Sequence, residues 1–528
     1  MLMHPRTRTL AAALTLAAVV TLLFLLPTDY LPSSPFRSQP SDPPIELPLL
    51  PAAYADLLPD LLPDLLPDLR LPPQLEAHPL LYSRLHAFLS RPVRSHADAT
   101  PINERQCPRE LSNRLANPDQ VNGDGDFWRD EVDEAVVRRK RVEMVRYLVD
   151  VLKRGEKVVW DAEERDEKAE YLGAVNPDIA RRAPVPPAPS RGFVSAAGNS
   201  DTTQRLLTLL RILRRHHHAD LPFQVWTFPG ELPPGSAEYR ELTQELGATV
   251  HEAQELEKDQ GAWKNFQIKG LAITSSSFQE VVYLDSDNIP LRDPSHLFES
   301  PTYRQHGTRA AFWPDLSKDH VDNAIWRIIG DECDLDNWTF ESGQIVIDKA
   351  GNQGLNLAAL HLAAYMQADH EFWFRLCGGD KDTFRWAFRA LDIPFAVSPM
   401  WAVPLGQRNG YEGGRFCGHT VLQYDLDAEE GEEEPRPLFV HSNLLKHISG
   451  VRRGHTFTHL GVARGMCTDL AVWDSDPRMP EDLAQGQQVE LQKLSDLPGR
   501  PFDGFEDMFF DEGGRAGGWR KRRLDLEG

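Results

Sequence analysis

Hydrophobic and polar positions repeat at different periods along the chain, and each period marks a different kind of structure. Residues 10 to 26 (LAAALTLAAVVTLLFLL) form one uninterrupted apolar run. From Pro27 to about Pro73 short leucine pairs recur between prolines, as in DLLPDLLPDLLPDLRLPP (56 to 73). Proline at every fourth position removes amide donors and clashes with the preceding turn, so this stretch cannot propagate as a helix and reads as a semi-stiff stem. Between 80 and 190 the apolar residues return at helical spacing. DEVDEAVVRRKRVEMVRYLVDVLKRG (130 to 155) predicts a helix stopped by Gly155. NGDGDFWRDE (122 to 131) spaces its acids like a calcium loop, but Phe127 stands where the turn glycine is required, so it reads as a turn and helix cap. VPPAPSR (185 to 191) marks a junction.

Past that junction short apolar strands alternate with amphipathic helices. GFVSAAG (192 to 198), FQVWTF (223 to 228), EVVYLD (280 to 285) and SGQIVID (342 to 348) read as strands. QRLLTLLRILRRH (204 to 216), SAEYRELTQELG (236 to 247) and WKNFQIKGLAITSSSF (263 to 278) read as helices between them. This alternation predicts an α/β fold with a largely parallel sheet covered on both faces, whose ligands bind beyond the carboxyl ends of the strands. Asp285 and Asp287 fall at one such end. Residues i and i+2 of an extended segment point to the same side, so both carboxylates can aim at one point. Two close anions are unfavourable unless a cation lies between them, and a hard divalent ion such as Mg2+ or Mn2+ suits oxygen ligands.

Composition narrows the setting. A chain of 528 residues with 41% hydrophobic side chains can bury a large core, while 41 prolines indicate extended segments. A net charge of -22 disfavours a nucleic-acid partner, whose phosphates need facing Lys and Arg. Part of the excess is EEGEEEP (429 to 435), a solvated acidic loop. The five cysteines show no CxxC spacing, so a zinc ribbon is disfavoured; disulfides stay open, and an odd count leaves at least one thiol unpaired within the monomer. The apolar run at 10 to 26 would reach roughly 25 Å as a helix, enough for a thin early-secretory membrane. Arg6 and Arg8 precede it, which places the short tail in the cytosol and the rest in the lumen. An uncleaved signal anchor is favoured over a cleaved signal peptide because no A-x-A site follows.

Five stretches in order carry a family resemblance: WKNFQIKGLAITSSSFQEVVYLDSDNIPLRDP, AAFWPDL (310 to 316), ESGQIVIDK (341 to 349), CGGDKDTFRWAF (377 to 388) and FVHSNLLKH (439 to 447). Together they resemble the fungal Golgi α-mannosyltransferases of glycosyltransferase family 71, over roughly residues 190 to 450. The resemblance implies a GT-A type nucleotide-sugar-binding fold, with GDP-mannose as donor, Mn2+ as cofactor and a mannosylated glycan acceptor. It further implies retention of anomeric configuration, residence as a type II Golgi membrane protein, and a place in a Golgi glycosyltransferase complex. Domains follow as a tail (1 to 9), an anchor (10 to 26), a stem (27 to 80), a helical lead-in (81 to 190), a catalytic domain (191 to 470) and a C-terminal extension (471 to 528).

Carried over residue by residue, Asp285 and Asp287 match the metal and diphosphate motif, His441 supplies a third ligand, and Lys269 and Lys446 meet the donor phosphates. Asp380, Asp382 and Glu341 are the candidates for orienting donor or acceptor, with Asp382 the candidate nucleophile. From the residues alone, a histidine after an apolar strand is more often packed core, Lys269 equally suits a solvated helix face, and Asp382 suits a helix cap. The linkage favoured is α-1,2, with α-1,3 as the alternative. A phosphatase using the first aspartate as nucleophile is disfavoured by Ile289 and by the motif's late position, and a membrane-anchored glycan-binding scaffold with a degenerate site stays open. The three histidines of RRHHHAD (214 to 220) cannot converge on one metal from a helix end, and Asn337-Trp338-Thr339 is a glycosylation sequon.

Overall fold

In the computed structural model, residues 71–160, 190–254, 256–258, 265, 267–408, 416–442, 453, 457, 461–463, 471–472, 491–497 and 499–515 are described. The expected anchor at 10 to 26, the stem up to residue 70 and Lys446 lie outside them. Among the described residues no helix is long and apolar enough to cross a membrane.

The strands in chain order are β1 (Arg191–Ala196), β2 (Phe223–Thr227), β3 (Ala248–Glu252), β4 (Glu280–Leu284), β5 (Asn288–Pro290), β6 (Ala310–Pro314) and β7 (Phe340–Asp348). They continue with β8 (Ala396–Val397), β9 (Val403–Arg408), β10 (Phe416–Tyr424), β11 (Pro437–His441), β12 (Gly461–Ala463), β13 (Ala471–Val472) and β14 (Leu491–Lys493). One sheet has the order β3-β2-β1-β4-β7-β6-β8. Its β3, β2, β1 and β4 are parallel, as the βα alternation predicts. β7, however, runs antiparallel to both β4 and β6. The chain leaves this sheet after β4 (ending at Leu284), re-enters beyond its neighbour position at β6 (from Ala310), and only then fills the gap between them as β7 (from Phe340), and strand periodicity carries no direction. The expected largely parallel sheet is therefore a mixed sheet with a parallel half.

A second sheet, of order β14-β12-β9-β10-β11-β5 with β13 beside β10, is antiparallel throughout and was not anticipated from the sequence. The two sheets meet at the aspartate pair: β4 ends in the first, and three residues later β5 pairs with β11 in the second. One face of the first sheet packs Phe193, Val225, Val282, Leu284 and Trp313 against Leu206, Leu210 and Leu213 of the helix after β1 and against Phe439 of β11. On the other face, helix Ile268–Ser275 packs on β1, and helix Leu355–Ala368 packs on it in turn. Gly270 makes that crossing possible, because a Cβ there would stand 2.8 Å from Ala364 Cα. Of the stretch expected as a helix over 263 to 278, Ile268–Ser275 is helical, and NGDGDFWRDE is helical throughout rather than a turn.

The lead-in is helical as expected. Helix Glu134–Lys153 is capped by Asp133, whose side chain accepts from Val136 N, and ends before Gly155 at φ +80°. Its Arg141 is fully buried and donates to the carbonyls of Arg91 (2.6 Å), Arg327 (2.9 Å) and Ile328 (2.8 Å), sewing the lead-in to the sheet domain. A disulfide between Cys107 and Cys333 bridges a separation of 226 residues across the same junction. Long closed loops restrict the unfolded chain most, so Cys107→Ser is expected to cost ~2–4 kcal/mol of unfolding stability. Denaturant unfolding under non-oxidising and oxidising conditions checks this; an unchanged midpoint would show that the bridge is not stabilising.

Candidate functional site

β4 is buried along its whole length, and the chain turns sharply at its end. Asp285 N donates to Gly343 O (2.8 Å), and Asn288 N donates back to Asp285 O (3.0 Å). This turn points the aspartates into the seam between the sheets. β11 delivers His441 from the other side, directly opposite Asn288, and Ser442 N closes onto Asp287 O (2.9 Å). The start of β7 supplies Glu341, Ser342 and Gly343.

His441 is the centre of the arrangement. Its Nε2 lies 3.3 Å from Asp287 Oδ1, and its Nδ1 lies 3.1 Å from Glu341 Oε1, which also accepts from Gly343 N (2.8 Å). The ring approaches β7 this closely only because residue 343 is glycine; a Cβ there would stand 2.7 Å from Nδ1. Burial alone would lower the imidazole pKa, but the carboxylates of Glu341 and Asp287 outweigh it and raise it to about 10. Burial likewise disfavours the charged form of Glu341, and His441 reverses that, holding the carboxyl at about 2.

Lys269 is not on a solvated helix face. It is 4% exposed, and its ammonium donates to Asp285 Oδ2 (3.0 Å), Ser342 O (2.9 Å) and Ser342 Oγ (2.8 Å) while pairing with Asp380 Oδ2 (2.8 Å). Its ion partners overcome burial and raise its pKa. With its donors spent on protein oxygens, its present role is to hold two carboxylates together. Asp285 is further oriented by Tyr283, whose hydroxyl donates to Oδ1 (2.9 Å). Burial raises the Asp285 pKa, opposed by Lys269.

Asp285, Asp287, His441, Glu341, Lys269 and Asp380 therefore converge in one buried cluster. Asp382 stands apart from it in contact terms. It is fully buried in the first turn of helix Lys381–Ala390, where its Oδ1 accepts from Phe340 N (2.9 Å) and Arg385 Nε (3.0 Å). Asp380, not Asp382, occupies the position before the helix, and neither side chain caps it. Burial raises the Asp382 pKa to about 6, against the pull of Arg385. Tyr283, Ser342 and Gly343 were missed from sequence; a serine and a glycine inside a strand buried along its whole length were the available signal. The histidine run does not converge: His216 Nε2 meets Glu512 Oε1 (2.8 Å), His217 Nε2 meets Pro290 O (2.9 Å), and His218 is exposed.

Asp285, Asp287 and His441 each offer one ligand atom within 4.8 Å of the others. Two carboxylates and one imidazole suit Mn2+ or a similar divalent ion. The imidazole fits a ligand role because Glu341 faces Nδ1, which leaves Nε2 turned to the aspartate. A carboxylate behind a histidine in this way fixes the ring and its tautomer.

Comparison with known proteins supports a transferase setting. Residues 190–338 match the mannosyltransferase family Mannosyl_trans3, a span that includes both aspartates and Lys269 but ends before Glu341 and His441. Alpha-1,2-mannosyltransferase MNN22 of Candida albicans is 28% identical over 204 residues, covering 30% of this chain and 34% of that protein. Alpha-1,2-mannosyltransferase MNN2 of Saccharomyces cerevisiae is 23% identical over 216 residues, 32% of this chain and 34% of its own length. The match thus spans about a third of the length of these curated relatives. The resemblance read from the motifs is borne out at this level. Among solved structures, the galactosyltransferase LgtC with donor and acceptor sugar analogs overlays with a TM-score of 0.28 and 13% identity, covering 39% of this chain and 73% of that one. An overlap this slight carries no weight for the site.

Proposed function

We propose that the chain is a metal-dependent mannosyltransferase of GT-A type that moves mannose from GDP-mannose to a mannose-containing glycan acceptor, with retention and in α-1,2 linkage. The observation that carries this reading is the cluster of Asp285, Asp287 and His441 at the end of β4, in a chain whose residues 190–338 match a mannosyltransferase family. Asp285, Asp287 and His441 would hold Mn2+. When bound, such an ion neutralises negative charge growing on the departing diphosphate, so that no proton donor is needed there.

The chain's own residues then have distinct tasks. Lys269 and Tyr283 keep Asp285 oriented, Glu341 keeps His441 oriented, and Asp380 completes the ion pair behind them. Such fixed groups need no reorganisation as charge develops. Lys446, five residues beyond His441, is the cation assigned to the diphosphate on family resemblance. Asp382, bound to Phe340 N and Arg385, acts in this reading by fixing the start of β7 and with it Glu341. The stretch at 10 to 26 would anchor the protein in the Golgi membrane, with the site in the lumen.

Glu341→Gln is expected to weaken Mn2+ binding about ten- to hundredfold, measured by electron paramagnetic resonance of the free ion; unchanged affinity would show that Glu341 does not act through His441. The function itself is tested by incubating the full chain with GDP-mannose, Mn2+ and a panel of mannosides and determining the linkage of the product. Mn2+-dependent α-1,2 transfer supports the reading, and α-1,3 product corrects its linkage. No transfer from any GDP-sugar by folded protein would favour the scaffold alternative.

A further inference from the structure

The first residues of β7 and β9 lead back from the candidate site to a pair of tryptophans on the same rim. Trp338 lies three residues before Glu341, and Trp401 three residues before Pro404. Glu341 and His441 are 3.1 Å apart, and Val421 of β10 pairs with His441 on one side and Pro404 on the other. Three extended residues span ~10 Å, so both tryptophans stand within a short oligosaccharide's reach of the site from two different sheets. Their rings lie 6.0 Å apart between centroids, tilted at 43°. Ala402, next to Trp401, is packed on Leu316 and Val421, which fixes the backbone beneath the ring.

What sets this pair apart is its exposure. Among the described residues Val397 and Trp401 are the large apolar side chains left exposed, Trp401 at 46%. Trp338 is half-buried, with the Lys318 ammonium 4.5 Å from its ring centroid. The fold spends ordered, supported indole surface on solvent at the edge of a transferase site.

We infer that Trp338 and Trp401 form a stacking platform for a pyranose ring of the acceptor glycan, one lying beyond the sugar that is elongated. This rests on the transferase reading above. A pyranose presents a face of C–H bonds that is apolar and slightly positive, and it matches the negative face of an indole, while its equatorial hydroxyls stay in water. Such a platform grips a saccharide chain without reading each hydroxyl, so it sets preference for acceptor length rather than donor identity. Asn337, in the sequon beside the platform, offers a competing occupant, the protein's own N-glycan.

The test uses the full chain with Trp401→Ala and Trp401→Phe, and α-mannosides of one to four residues. For Trp401→Ala the acceptor KM should rise about tenfold for tri- and tetrasaccharides and little for the monosaccharide. The KM for GDP-mannose and Mn2+-dependent hydrolysis of GDP-mannose should not change, which also reports that the variant is folded. Trp401→Phe should restore most of the loss. Tryptophan fluorescence on titration with the tetrasaccharide reads binding without catalysis, so the platform stands or falls separately from the transferase reading. Quenching in the wild type that Trp401→Ala abolishes supports the inference. Equal tetrasaccharide KM and equal quenching in the wild type and Trp401→Ala would overturn it.

Discussion

Asp287→Asn should lower metal-dependent transfer roughly a thousandfold, the scale on which removing one charge-stabilising group acts, while leaving the protein folded. The physical reason lies in how the two aspartates are held. Both Asp285 oxygens are engaged, Oδ1 by Tyr283 and Oδ2 by Lys269, whereas Asp287 Oδ1 faces His441 Nε2 at 3.3 Å. Asp287 is therefore the carboxylate best set to share a cation with the imidazole. An amide keeps the size but loses the charge that would hold the ion. Loss of Mn2+ affinity should accompany loss of transfer; Glu341 still faces the buried His441, so the variant folds, with an unfolding temperature below that of the wild type because one counter-ion of the imidazolium is gone. Transfer within tenfold of wild type at saturating Mn2+ would place the metal elsewhere.

Lys269→Met should act through stability as much as through chemistry. Removing one partner of a buried ion pair leaves the other charge uncompensated and costs about 3–5 kcal/mol. Here two carboxylates, Asp285 and Asp380, would lose the same ammonium. The expected results are a lower unfolding midpoint and near-complete loss of transfer. Adding Asp380→Asn should recover part of the stability but not the activity, because the two sites are in contact and their effects do not add. An unchanged midpoint in the single variant would mean that the ammonium is not the counter-ion of this cluster. The pair gives no pH switch near neutrality. The folded-state pKa of Lys269 is raised above its ordinary 10.5, so its contribution is fully present below that value and is lost only in alkali beyond it.

Much of the site was legible in the amino-acid order because its first half is local. Asp285 and Asp287 follow a strand that is five residues long and wholly buried, so an apolar run ending in two acids already implied a charged strand end. The helix Glu134–Lys153 and its stop at Gly155 were equally legible, since cap, periodicity and stop signal lie within one short window. Lys269 stayed open between a phosphate contact and a solvated helix face for the opposite reason. Its neighbours in sequence are helical and leave solvation open, while the groups that bury it, Ser342 and Asp380, are 73 and about 110 residues away. Asp382 was legible as an acid near a helix start, but the amide it holds, Phe340 N, belongs to another element. The histidine run was read rightly as non-convergent because helical geometry alone excludes it.

The sequence by itself determined what short-range physics can encode: the βα alternation, the acidic strand end and the family resemblance of five ordered motifs. Only the tertiary structure decided the antiparallel course of β7, the second sheet, the pairing of Cys107 with Cys333, and the closure of His441 on Asp287 and Glu341. Strand direction and sheet membership depend on where a chain returns after a long excursion, and side-chain pairing across that excursion depends on packing that no local window contains. The same cause explains the tryptophans. Each is an ordinary loop residue in sequence, and they become a surface only where two sheets end on one rim.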